Sequence, residues 1–308
     1  MAIKEVEFKS FNERDTVKGW VYTPIAKPKA VVQIVHGLGE HSRRYLHMIL
    51  KMNEVGFVVC ADDHVGHGKT AFDSNTWGDL GNKGYMTTIE DENTLRNLVT
   101  KDYPDLPFFI FGHSWGSIIV RNYVAHYAKG MSGMIICGAP AYNKNILSLV
   151  EQTQSYIDQG KDNDVVPEFI MSAFSGMTDR YTNVKTPNDW IAADEGVVAD
   201  HAQDPFNNLT APLNVRLLYD MGMALKMIQN EEWAAKLPKE LPIYNIAGDM
   251  DPAASYGEGT YMITRWLADT GHNVTTKVYS GYRHEIHNEP PIRNEVEDGI
   301  IEFINKYI

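Results

Sequence analysis

Ser114, Asp251 and His284 have the residue types and chain positions that nucleophilic chemistry needs. Ser114 sits in Gly112-His113-Ser114-Trp115-Gly116, between the apolar run Phe108-Phe109-Ile110-Phe111 and the apolar helix opening Ile118-Ile119-Val120. A strand that turns sharply into a helix leaves a serine hydroxyl exposed on a strained tip. Gly112 and Gly116 suit that crossing because a side chain would crowd it. The five residues alone fit equally well a serine that merely caps a helix. A serine hydroxyl is a poor nucleophile until a neutral imidazole takes its proton and an acid orients that imidazole. Asp249 and Asp251 follow the apolar stretch Leu241 to Ala247, and His284 follows the stretch Val274 to Tyr279. Spacing leaves both aspartates open as the acid and His287 open as a second base.

An acyl-transfer site also needs donors for a developing oxyanion. The amide of Trp115 is one natural donor. Leu38 supplies the other, from His36-Gly37-Leu38-Gly39-Glu40-His41-Ser42, where two glycines free the backbone to aim amides at a ligand. The stretch Asp62-Asp63-His64-Val65-Gly66-His67-Gly68 also gathers carboxylates and imidazoles. No third histidine stands at ligand spacing, so it is read as a loop packed under a pocket and no metal is expected.

These residues must be held by regular elements. Glu5 to Phe11 and Val17 to Tyr22 read as a hairpin around Asn12-Glu13-Arg14-Asp15. Ala30 to Val35, Phe57 to Ala61, Phe108 to Phe111, Gly133 to Cys137 and Leu241 to Ala247 are almost wholly apolar, the pattern of strands buried on both faces, and Val274 to Tyr279 reads as a further strand. Helical spacing covers Tyr45 to Glu54, Thr87 to Thr100, the segment after Ser114 to about Ala128, Gly257 to Ala268 and Asn294 to Lys306. Thr87-Thr88-Ile89-Glu90 reads as a capping box. The alternation predicts a mostly parallel sheet covered on both faces, whose strand ends carry the chemistry. It breaks from Tyr142 to about Trp233, where only helices and loops are expected. The domain reading is therefore 1–141 with 234–308 as a discontinuous core, and 142–233 as a helical insert.

The chain has 308 residues, 44% of them apolar and 22% charged, with a formal net charge of −12. This is ordinary for a globular protein and argues against nucleic acid as a partner. No stretch reads as a membrane span or a signal peptide. Cys60 and Cys137 lie inside apolar strands and read as buried free thiols in a cytoplasmic protein.

Together, the His36 to Ser42 loop, Asp63-His64-Val65-Gly66-His67-Gly68, the Ser114 pentapeptide, Gly248-Asp249-Met250-Asp251 and Tyr282-Arg283-His284-Glu285 resemble the monoacylglycerol lipase and lysophospholipase branch of the alpha/beta hydrolases. That resemblance implies a mostly parallel eight-stranded sheet flanked by helices, with 142–233 as a helical cap over the site. It implies Asp251 as the acid, Ser114 as nucleophile and His284 as base. The activity implied is hydrolysis of a small acyl ester, monoacylglycerol-like, with no metal or organic cofactor. Trp115 departs from the Met or Gln frequent at its position and narrows the space near the acyl group. Lys69-Thr70 after the second glycine loop is a further departure.

Between Asn214 and Gln229, Leu217, Leu218, Met221, Ala224, Leu225 and Ile228 form one apolar stripe, while Tyr219, Met223 and Met227 lie off it. Met223 and Met227 are read as lining an adaptable acyl channel, with a homodimer contact or simple core filling as the competing roles. A serine aminopeptidase is the alternative activity. It needs an acidic group for the substrate's amino terminus, for which Glu168, Asp194 and Glu195 are the candidates. A lysophospholipase is a further alternative, and a non-catalytic ligand-binding protein on the same fold is the reading from another class.

Overall fold

The computed structural model describes residues 1–142, 145–174, 176–209 and 213–308. Strands β1 (Ala2–Lys9) and β2 (Thr16–Thr23) form the expected antiparallel hairpin. They are followed by β3 (Ala30–Val35), α1 (Leu46–Glu54), β4 (Phe57–Asp63), α2 (Gly68–Ser74) and α3 (Met86–Asp102). Then come β5 (Phe108–His113), α4 (Trp115–Tyr127) and β6 (Gly133–Cys137). Among the described residues the sheet has eight strands in the order β1, β2, β4, β3, β5, β6, with β7 (Ile243–Gly248) and β8 (Val274–Tyr279) completing it. β3 to β8 run parallel, and β2 is antiparallel to β4. Helices α10 (Glu258–Asp269) and α11 (Arg293–Asn305) belong to this second half.

Successive residues on a strand face opposite sides, so each apolar strand feeds two cores. Val31, Val58, Phe108, Ile110 and Ile136 pack with residues of α3, α4 and α10. Val32, Val59, Phe109, Phe111 and Ile135 pack on the other face with residues of α1 and α11. Cys60 and Cys137 fall in different cores and are free, buried thiols.

Between β6 and β7 the chain forms α5 (Ile146–Ile157), α6 (Pro167–Phe174), α7 (Glu195–Gln203), α8 (Val215–Lys226) and α9 (Glu231–Ala235), with no strand among the described residues. Positions 143–144, 175 and 210–212 of the expected insert lie outside the described residues. No described helix is long and apolar enough to cross a membrane.

After His67 the chain enters α2, at whose start the Asp63 carboxylate accepts the Lys69 amide (2.7 Å). One local expectation needs correction. Thr87 and Glu90 do not form a capping box: α3 begins after Tyr85 without a side-chain cap. There Thr88 Oγ1 donates to the Tyr85 carbonyl (2.8 Å) and Glu90 accepts the Tyr127 hydroxyl (2.6 Å).

Candidate active site

The turn from β5 into α4 puts Ser114 at φ 53° and ψ −118°, a left-handed conformation that a non-glycine residue keeps only when its surroundings enforce it. The enforcement is steric. A Cβ on Gly116 would stand 2.1 Å from the Val35 carbonyl oxygen, and one on Gly112 would stand 2.5 Å from the Gly116 carbonyl oxygen. Ser114 also donates its amide to the Cys137 carbonyl (3.0 Å) at the end of β6. The hydroxyl-bearing residue is thus clamped among the ends of β3, β5 and β6.

The loops after β7 and β8 meet beside it. A Cβ on Gly248 would lie 2.0 Å from the Tyr282 carbonyl oxygen, so only glycine lets these loops touch. Asp249 spends its carboxylate on the Gly281 amide (2.7 Å), shaping the turn. Asp251 is fully buried. One of its oxygens accepts the Ala253 amide (2.8 Å) and the other pairs with His284 Nδ1 (2.9 Å). Of the two aspartates left open by spacing, only Asp251 meets the imidazole. His284 Nε2 is buried without a hydrogen-bond partner among the described residues. Both His284 and Ser114 line the same cavity, of ≈ 540 Å³. His287 does not compete as base. It stacks on Tyr45 with ring centres 4.9 Å apart, and burial holds it well below the usual imidazole range.

Leu38 and Trp115 also line the cavity, and their amides have no acceptor among the described residues. Trp115 is the first residue of α4, so its N–H has no intrahelical partner. Its indole is buried, and Nε1 has no partner among the described residues.

Glu40 carried no role in the sequence reading, yet it braces the Leu38 loop. Its Oε1 accepts the Gly37 amide (2.5 Å) and the Tyr45 hydroxyl (2.8 Å) and pairs with His113 Nδ1 (3.1 Å). Burial works against both charges. Their mutual hydrogen bond and charge nonetheless hold Glu40 well below the carboxylate range and His113 above the imidazole range. Only the fold brings positions 40 and 113 together, so local spacing gave no sign of the pair.

The inserted helices line the rest of the cavity. α8 presents Leu218, Met221, Gly222 and Leu225 to it. Met223 and Met227 are not there: Met223 lines a shallow groove outside with Tyr219 and Lys226, and Met227 is 41% exposed. The apolar stripe of α8 is its buried side, and the part with Leu218 and Met221, not the part with Met223 and Met227, faces the cavity. His201 of α7 and Glu285 add polar groups to the lining. Burial pushes His201 down. Glu285 stays below the carboxylate range despite burial because Arg44 Nη2 donates to it (2.6 Å). Of the acids considered for an amino terminus, Glu168 is exposed, Asp194 caps α7 by accepting the Val197 amide (3.1 Å), and Glu195 is in a surface pair with Lys185. None of the three lines the cavity.

The family described as serine aminopeptidase, S33, matches residues 26–291. The chain is 56% identical to a highly thermostable carboxyl esterase from Bacillus coagulans solved in complex with glycerol. That likeness covers 100% of this chain and 99% of that one, with a TM-score of 0.97. A lipase solved in an open form is 39% identical over 99% of each chain, with a TM-score of 0.93. A monoacylglycerol lipase from Mycolicibacterium smegmatis is 28% identical over 90% of this chain and 89% of that protein.

Proposed function

Because the chain belongs to the serine aminopeptidase S33 family and folds as an alpha/beta hydrolase, we propose that Ser114, His284 and Asp251 form its catalytic triad. The chain is a serine hydrolase of carboxylic esters, the chemistry named for the esterase and lipases it resembles. One observation carries the assignment of residues. His284 is held through Nδ1 by Asp251 and turns an unpartnered Nε2 to the cavity that Ser114 lines.

In the proposed reaction Ser114 Oγ attacks the ester carbonyl while His284 Nε2 takes the hydroxyl proton. The oxyanion is received by the amides of Leu38 and Trp115. The alcohol then leaves with the proton from His284, giving an acyl-enzyme on Ser114. Water attacks it by the same route in reverse, releasing the acid. Asp251 orients the imidazole and offsets the charge it gains. Glu40 is a positioning residue for the Leu38 loop.

Residues 142–233 act in this proposal as the cap, and the substrate is a monoacylglycerol-like ester. Leu149, Phe174, Leu218, Met221 and Leu225 suit an acyl chain, where each buried methylene adds about 0.8 kcal/mol. His201 and Glu285 suit a hydroxylated alcohol. The glycerol bound to the Bacillus coagulans esterase supports that choice of alcohol. Aminopeptidase activity is disfavoured, since Glu285 already answers Arg44 and no other carboxylate in the cavity lining is free for an ammonium. The buried thiols support a cytoplasmic location. The outer side of α8, Tyr219, Met223 and Met227, is the surface to examine for a homodimer by sedimentation.

The test is a panel of glycerol monoesters and nitrophenyl esters of graded chain length, run beside amino-acyl amides. Rates that rise with acyl length and then level off, with no amide cleavage, support the proposal. Amide cleavage faster than ester cleavage overturns it.

A further inference from the structure

Asp62, at the buried end of β4, has neither carboxylate oxygen exposed and completes no hydrogen bond among the described residues; its one ion pair there is with His64 Nδ1. A buried carboxylate with so little compensation is costly, and a fixed cation is the usual remedy. Beside it stand His64 and Glu92, both fully enclosed, with donor atoms that lie within 4.8 Å of one another across the three residues. Glu92 comes from α3, far along the chain from the Asp62 loop. This explains why the loop's own spacing lacked a third ligand.

The arrangement has the parts of a metal centre rather than of a salt bridge alone. His64 Nε2 meets the His36 carbonyl oxygen (3.2 Å) and donates to it in the tautomer that leaves Nδ1 a free lone pair. Nδ1 lies 3.3 Å from Asp62 Oδ1 and 3.2 Å from Glu92 Oε1. A tetrahedral zinc ion with bonds of about 2.0–2.2 Å holds its donors about 3.3–3.6 Å apart. Glu92 Oε1 faces the same nitrogen, while its Oε2 is fixed by Gln33 Nε2, which also donates to the Glu92 carbonyl (3.0 Å). Asp62, Glu92 and His64 thus offer three donor atoms, and the second oxygen of Asp62 can join only as the other half of a bidentate carboxylate.

We propose that Asp62, Glu92 and His64 bind a divalent cation of the zinc class that ties β4 to α3 beneath the sheet. Two carboxylates and a neutral imidazole match a doubly positive ion in charge, so the buried site becomes neutral. The other buried candidate, His113 with Cys137 and His287, lacks this form because both His113 nitrogens are engaged, by Glu40 and by the His284 carbonyl.

Because the site is enclosed, loading accompanies folding, and the test is refolding of the full chain. Protein unfolded in guanidinium is refolded with zinc or with a chelator, then passed through a chelating column for metal analysis and thermal melting. The wild type refolded with zinc is expected to keep about one zinc ion per chain. Its Tm should exceed that of the chelator-refolded protein by ~5 °C or more. Asp62→Asn and Glu92→Gln should keep less than about a fifth of that zinc and lose the Tm difference. Wild-type protein without retained zinc, or zinc unchanged in Asp62→Asn, overturns the proposal. The wild-type comparison decides even where a variant does not refold.

Discussion

The floor and the roof of the cavity are built on different principles. In the floor, backbone touches backbone: the missing Cβ atoms of Gly112, Gly116 and Gly248 are what let β3, β5 and the loops after β7 and β8 converge on Ser114 and His284. In the roof, two backbone hydrogen bonds, Asn208 to Gly39 (3.0 Å) and Glu285 to Ile191 (2.7 Å), join the insert to the floor, and side chains supply further contacts. His41 pairs with Asp204 (2.9 Å), Arg44 with Asp200 (3.1 Å), and the Tyr181 hydroxyl donates to the Met250 carbonyl (2.7 Å). Leu218, Met221 and Leu225 then give the cavity its apolar wall. Contacts between backbones tolerate no substitution, so the floor fixes which reaction can occur. Contacts between side chains can be exchanged, so in the proposed reaction the roof would set which ester enters.

Changes in the floor should therefore be all-or-none. Asp251→Asn should lower kcat by about 10⁴-fold through loss of the imidazole's orientation. Asp249→Asn, which disturbs only the Gly281 turn, should leave kcat within about tenfold. Equal losses from the two variants, measured with one nitrophenyl ester, would remove the distinction between them. Gly116→Ala should cost about 3 kcal/mol or more in guanidinium unfolding, since its methyl group meets the Val35 and His36 carbonyls. An alanine variant of wild-type stability would show that this crossing is softer than drawn.

Changes in the roof should be graded. Met221→Ala should alter the ratio of kcat/KM between long and short acyl esters by about tenfold. Met223→Ala and Met227→Ala, off the cavity, should leave it within about twofold. A shift from the outer pair would return the methionine side of α8 to the acyl channel. Asp220, on the same helix, gives the smallest effect. Burial pushes its carboxyl up to about 7, above its unfolded value, with Arg216 opposing. The folded chain thus holds the extra proton between those values, and its stability falls as pH rises through that window. Asp220→Asn should raise Tm at pH 8 by about 2–4 °C and at pH 5 by about half of that or less. Equal shifts at both pH values would show that charge is not the cause.

How far the sequence revealed these regions follows the same division. The strands of the floor were legible because burial on both faces leaves long apolar runs, and the chemistry follows at their ends. Asp251 could not be told from Asp249 by spacing, because the choice depends on which carboxylate the His284 loop meets in space. Glu40 and Glu92 gave no local signal, since their partners come from distant elements. In the roof, periodicity defined the faces of α8 but not the direction in which each face looks. The start of α3 differs for a related reason: Glu90 accepts the Tyr127 hydroxyl and the Thr87 hydroxyl is buried without a partner among the described residues, so neither serves as a cap.

The central claim is that Ser114 is a nucleophile activated by His284. A fluorophosphonate probe, followed by peptide mass mapping, tests it most directly. One covalent adduct on Ser114, absent in Ser114→Ala and slowed severely in a folded His284→Ala variant, is the predicted result. A folded, unlabelled wild-type protein, or labelling at another serine, would contradict the account.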